Sequence, residues 1–171
     1  GFIVRSFEEA TVWEMLFLRS FFFLLALIVF LISIYKKNTI KIIKDSGFPG
    51  LLGGFVMSFS FVAFVLAMNS TTVANVVFII STQTMFLAIF GYVYLKEKVS
   101  VIGSISIFLA MSGIAIMVGD SISSGSLFGN LVALAIPINF AILVMIIRKN
   151  TNLDMVPAIF YSGVFSLIYG F

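Results

Sequence analysis

The sequence predicts an all-α polytopic membrane protein, a bundle of transmembrane helices. Its composition, the length of its apolar runs and the placement of its basic residues carry that prediction. Of 171 residues, 61% are hydrophobic and 10% are charged, with a mean hydropathy of +1.22. Soluble domains run at about 45–50% apolar and about 25% charged, so this composition belongs to the bilayer. The chain contains no cysteine and no histidine. Disulfide scaffolds, zinc sites, haem ligation and thiol or imidazole catalysis are therefore excluded within it, and neither metal nor cofactor is expected. The net charge of +3 comes from basic residues scattered between apolar runs. They form no basic face, so no nucleic-acid partner is expected.

A hydrocarbon core about 30 Å thick needs about 20 helical residues. Stretches of that length run from Met15 to Tyr35, Gly50 to Met68, Thr72 to Leu95, Val101 to Gly119 and Leu127 to Ile147. A sixth begins at Met155 and is cut off at Phe171, and Gly1 to Val4 reads as the last turn of an earlier helix. With no initiator Met and an end inside an apolar run, the chain reads as a fragment of a longer protein. Ser46 and Pro49 suit an N-cap and first turn before the Gly50 helix, and Asn152, Asp154 and Pro157 do so before the last one. Gly119 and the polar segment Asp120 to Ser126 predict a break between the fourth and fifth spans.

Basic residues orient these spans. Lys36, Lys37, Lys41 and Lys44 follow the first, Lys96 and Lys98 the third, and Arg148 and Lys149 the fifth, while the segments around Asn69 and Asp120 hold none. By the positive-inside rule the basic loops are cytoplasmic, as expected of a multi-pass membrane protein. Arg5, on the outer side, is an exception. A gapless shift that places Ile3 on Ile146 also places Arg5 on Arg148, Phe17 on Phe160, Phe22 on Phe165 and Leu24 on Leu167. An odd number of helices separates the copies, which predicts an inverted repeat and explains Arg5 by ancestry.

The stretch Ala74 to Val118 resembles the last two helices of an EamA repeat of the drug/metabolite transporter superfamily. The features in common are a small residue early (Ala74), a polar mid-helix break (Ser81 to Thr84), Glu97 within Leu-Lys-Glu-Lys, and Gly113 near the close. Gly1 to Phe23, with Arg5 and Arg19, is similar to the junction of the first two helices. The resemblance implies half of a ten-helix inverted-repeat transporter fold. Residues 1–119 would be a first repeat lacking most of its first helix, and residues 125–171 the start of a second. At one point the chain departs from the family. Its members often have a proline in the mid-helix break, whereas this chain has Thr82-Gln83, leaving the kink without its usual cause.

Polar residues at membrane depth are the candidate site. In the third span, Thr72, Asn75, Thr82 and Gln83 fall within an arc of about 100°, continued by Phe86, Phe90 and Tyr94. An unpaired Gln83 amide facing lipid would cost several kcal/mol, so it should face protein or a water-filled cavity. For Thr82 and Asn75, interhelical hydrogen bonding competes with a cavity-lining role. Ser58 and Ser60 lie at similar depth, as does Asn139, which follows a proline, Pro137, that releases a carbonyl one turn earlier. Arg19, with Glu14 nearby, is either an interfacial anchor or an anion-attracting entrance residue. Glu97 has a loop-orienting role. No Asp or Glu sits near the centre of a span, so the intramembrane carboxylate typical of proton-coupled pumps is missing here.

Gly50 with Gly54, and Ser106 with Ala110, are small-xxx-small pairs that favour close packing and, secondarily, a homodimer. The resemblance implies a transporter, not an enzyme, exporting small metabolites such as amino acids by alternating access at a midplane cavity. A nucleotide-sugar or phosphorylated-sugar exchanger would need several cavity-facing basic residues, and Arg19 is the one candidate. A non-transporting structural or signalling membrane protein leaves the polar stripe without a use.

Overall fold

The computed structural model describes residues 12–98, 100–124 and 127–171. The described residues form helices α1 (Val12–Tyr35), α2 (Thr39–Asp45), α3 (Gly47–Ser70), α4 (Val73–Ser81), α5 (Gln83–Leu95), α6 (Val101–Ser124), α7 (Leu127–Lys149) and α8 (Val156–Gly170). A single 3-10 turn, Lys36–Asn38, joins α1 to α2. Segments Trp13–Asp45, Gly47–Ser70, Val73–Leu95 and Leu127–Lys149 are long and apolar enough to cross a membrane. Val101–Ile116 and Val156–Gly170 are shorter apolar helices. Phe22, Val29, Ile32, Val93, Ile102 and Phe108 stand exposed on them. Such a surface is costly in water and suited to acyl chains, so the chain is an all-α polytopic membrane protein. The proposed turn at Gly1 to Val4, and Arg5, lie outside the described residues.

Three boundaries differ from the sequence expectation. The lysine-rich connection after α1 is itself helical, bracketed by left-handed residues at Lys36 (φ 49°) and Gly47 (φ 53°). Ser46 consequently ends α2 instead of capping α3 with its side chain. Its hydroxyl donates to the Ile43 carbonyl at 2.7 Å, while its own carbonyl accepts from the Gly50 N–H at 3.0 Å. The backbone of α6 continues through Gly119 and Asp120 to Ser124. Intrahelical hydrogen bonds there outweigh the weak breaking tendency of one glycine. The other expected start holds, because the Asp154 carboxylate accepts from the Val156 N–H at 3.0 Å and Pro157 sits in the first turn.

The chain divides into two compact units, Gly1–Val62 with Ile146–Phe171, and Ala63–Met145. In the first, α1 and α8 pack antiparallel. Ser20 and Ser166 Oγ atoms meet at 2.7 Å, and at one end the Tyr35 hydroxyl donates to Asp154 Oδ2 at 2.5 Å. Glycines permit this approach: a methyl added at Gly170 would lie 2.8 Å from the Phe17 backbone nitrogen. The Gly50–Gly54 pair packs within the chain, since a methyl at Gly54 would collide with Tyr161 Cβ and lie 2.7 Å from the Ala158 carbonyl oxygen. Edge-on ring pairs Phe23–Phe61 and Phe55–Phe165, with centroids 5.2 and 5.4 Å apart, fill the wider gaps.

The second unit has its core in Ala63, Ala67, Val76, Ile79, Ala133 and Ile136. Alanines facing one another bring the end of α3 and the start of α7 close, and a methyl at Gly129 would meet the Ser70 carbonyl carbon at 2.6 Å. Close approach without side-chain bulk is how helices associate where lipid competes equally for apolar surface.

Replacing Gly54 with valine must push α3 away from α8, because the obstruction includes backbone. We expect a loss of about 1–3 kcal/mol, read as a lower unfolding midpoint in detergent; an unchanged midpoint would contradict the contact.

Candidate functional site

The third span is interrupted at Thr82, where α4 gives way to α5. Thr82 (φ −78°, ψ 1°) donates from its N–H to the Ile79 carbonyl at 3.1 Å, and its hydroxyl donates to the same oxygen at 2.6 Å. Its carbonyl accepts from the Met85 and Phe86 N–H groups at 2.9 and 3.3 Å. Next to it, the Ser81 hydroxyl donates to the Phe78 carbonyl at 2.6 Å. Two successive hydroxyls bonded one turn back tighten and bend a helix, so the break forms here without proline. A groove of about 460 Å³ opens beside it, lined by Phe78, Ser81, Thr82, Thr84, Ser106 and Ala110 among others. Thr82 and the Ser106–Ala110 pair are thus brought together. Gln83, half-buried as the first residue of α5, is not among the lining residues.

Asn75 lies in the first turn of α4. The Thr72 hydroxyl caps that helix by accepting from the Asn75 N–H at 3.2 Å. The Asn75 amide donates to Thr71 Oγ1 at 3.2 Å, and the Thr71 hydroxyl donates to Asn130 Oδ1 at 2.8 Å. Asn130 is fully buried at the start of α7. The chain of bonds ties α4 to α7 across the end of α3, a structural role for Asn75. Sequence reasoning missed Thr71 and Asn130; a polar residue four positions before Asn75 was their one signal. Asn139 is half-buried on α7, two residues beyond fully buried Pro137.

The first unit holds a separate group of hydroxyls. Ser58 and Ser60 on α3 are buried, as are Ser20 on α1 and Ser162 and Ser166 on α8. Ser58 donates to the Phe55 carbonyl at 2.6 Å and lies 3.5 Å from the Tyr169 hydroxyl. Ser60 Oγ is buried with no hydrogen-bond partner among the described residues. A buried orphan hydroxyl costs about 1–3 kcal/mol, which marks Ser60 as a position where an added polar group would be favourable. Half-buried Arg19 places its guanidinium 5.1 Å from the centroid of the Phe61 ring, next to Ser60 in sequence. The i, i+4 spacing of Ser162 and Ser166 on one face was the legible sign of this cluster.

Glu97 is exposed beyond the end of α5, and its N–H donates to the Gly91 carbonyl at 3.2 Å past left-handed Lys96 (φ 54°). Its backbone therefore closes the helix. Phe90 and Tyr94 continue the aromatic stripe with centroids 5.6 Å apart. Among the described residues no three His, Cys, Asp or Glu gather to hold a metal ion.

A double-mutant cycle tests the buried network. Asn130→Leu and Thr71→Val should each lower stability by about 1 kcal/mol, and the double variant by less than their sum. Strict additivity in detergent unfolding would show that the pair is uncoupled.

No curated protein and no solved structure matches the chain. The family model of the EamA-like transporter family matches residues 2–119. That match spans α1 through most of α6, including the break at Thr82 and the Lys96–Lys98 end of α5. With well over half of its length inside the match, the chain belongs to the EamA-like transporter family.

Proposed function

We propose that this chain is part of an exporter of small metabolites such as amino acids, working by alternating access around a cavity at membrane depth. The observation that carries this reading is the break at Thr82 in the middle of a membrane-spanning segment. An interrupted span is tolerated at membrane depth where it borders protein or a water-filled cavity, and transporters place substrate there. In the second unit, Gln83 and Thr82 at the break and Asn139 on α7 would offer neutral donors and acceptors, and in the first unit Ser58 and Ser60 on α3 would do so separately. Neutral groups of this kind suit a small zwitterionic or uncharged solute better than a phosphorylated sugar, which would need several cations. Arg19, in the first unit, would attract anionic solutes.

The inverted repeat, 1–119 followed by 125–171, is supported by the α1–α8 pair. The shift that matches Phe22 with Phe165 also matches Ser20 with Gly163 and Phe23 with Ser166. Ser20 touches Ser166, and a methyl at Gly163 would lie 3.5 Å from Phe23 Cδ1. The shift that pairs the copies also exchanges these two contacts, which supports the repeat. The Tyr35–Asp154 bond holds the two connections that carry Lys36–Lys44 and Arg148–Lys149 at one end. That arrangement supports a cytoplasmic face for both in a bacterial inner membrane.

Radiolabelled amino acids and related metabolites, screened for efflux from cells expressing the full-length protein, test the reading. Wild type should move at least one of them, and Gln83→Leu should reduce that flux about tenfold or more at equal membrane abundance. Equal flux in both would remove Gln83 from the site, and no flux of any solute would count against the metabolite class.

A further inference from the structure

The connection between α1 and α3 has features that span packing does not use. Residues Lys36–Phe48 contain Lys36, Lys37, Lys41 and Lys44 against one acidic residue, Asp45. All four lysines are exposed. Beside them two large apolar side chains stand out from the protein, Ile40 at 70% exposure and Phe48 at 71%. At helical spacing Ile40, Lys44 and Lys41 share an arc of about 100° on α2. The opposite side holds Thr39, Ile42 and Ile43, which are half-buried.

The segment is also anchored. The Thr39 hydroxyl donates to the Lys36 carbonyl at 2.9 Å and reaches the Leu31 carbonyl at 3.3 Å. The Tyr161 hydroxyl, from α8, donates to the Ile43 carbonyl at 3.1 Å, and Ser46 Oγ donates to the same carbonyl at 2.7 Å. Left-handed turns at Lys36 and Gly47 set its two ends. A freely waving polybasic loop needs none of these bonds; they hold one face of α2 outward.

We propose that Lys36–Phe48 is a binding platform for anionic phospholipid of the surrounding leaflet. The lysine ammoniums pair with headgroup phosphates while Ile40 and Phe48 enter the first methylenes of the acyl chains. Charge complementarity selects the headgroup, since basic clusters next to a span attract anionic lipid. The exposed Ile40 and Phe48 select a membrane over a soluble acidic peptide, because water gives them no partner. Tyr161 then connects the lipid-bound segment to α8, so headgroup occupancy bears on the α1–α8 pair.

The full-length protein, purified in mild detergent with phosphatidylglycerol or phosphatidylcholine added, provides the test by native mass spectrometry. Wild type should retain phosphatidylglycerol in preference to phosphatidylcholine. Lys41→Gln with Lys44→Gln should weaken that retention about 30-fold, and Lys96→Gln with Lys98→Gln, at another basic connection, should leave it near wild type. Ile40→Gln with Phe48→Gln should weaken retention of both lipids while leaving the lysines in place. Equal retention of the two lipids by wild type would overturn the proposal. So would retention unchanged by the Lys41 and Lys44 substitutions, or equal losses from the two lysine pairs.

Discussion

Helices inside a bilayer gain little by hiding apolar surface from one another, because lipid receives that surface equally well. What holds them is close approach and hydrogen bonding between polar groups that lipid cannot satisfy. The α1–α8 pair depends on both. Gly170 lets the backbones come near, Gly163 makes room for the Leu24 and Phe23 side chains, Ser20 and Ser166 bond across the seam, and Tyr35 with Asp154 fastens one end. Gly54 brings α3 onto the same helix by the same means. In the second unit, alanines take the place of glycines in the core, and Thr71 with Asn130 takes the place of the serine pair.

The break at Thr82 follows from the same constraint. A carbonyl at membrane depth must find a donor, and the hydroxyls of Ser81 and Thr82 supply one from within the helix. Their bonds tighten the turn, interrupt the regular ladder and start a new helix at Gln83. A proline would interrupt the ladder by deleting a donor, whereas threonine interrupts it by adding a competing one. Both routes lead to a mid-span irregularity, which here borders the groove lined by Ser81, Thr82 and Ser106.

Membrane class and most span positions were legible because the physical signal is long and additive: about 20 apolar residues in succession have few other uses. The α2 helix was not legible, since Lys36–Asp45 is rich in charge and too short for periodicity to register, and its anchors come from Leu31 and Tyr161, distant in sequence. Ser46 was misassigned for that reason, as its local signature fits a helix start or a helix end equally. At the site, the depth of Ser58 and Ser60 was readable, and both are buried. Asn75 looked equivalent to Gln83 on a helical wheel, but its partner Thr71 lies outside the helix that the wheel describes. The buried serines of α1 and α8 escaped notice because a single hydroxyl in an apolar run usually bonds its own backbone. Only the antiparallel pairing puts Ser20 opposite Ser166.

In the topology proposed from the positive-inside rule, the connections at Lys36–Asp45 and Asn150–Asp154 lie on one side of the membrane and the connection at Asn69–Thr72 on the other. The chain contains no cysteine, so single cysteines at Asn38, Asn152 and Asn69 in the intact protein can be labelled with a membrane-impermeant maleimide in sealed cells and again after opening them. The account predicts that Asn69→Cys reacts in sealed cells, and that Asn38→Cys and Asn152→Cys react only once the cells are opened. Labelling of Asn38→Cys and Asn152→Cys from opposite sides would contradict the antiparallel α1–α8 pair, and with it the fold on which the transport reading stands.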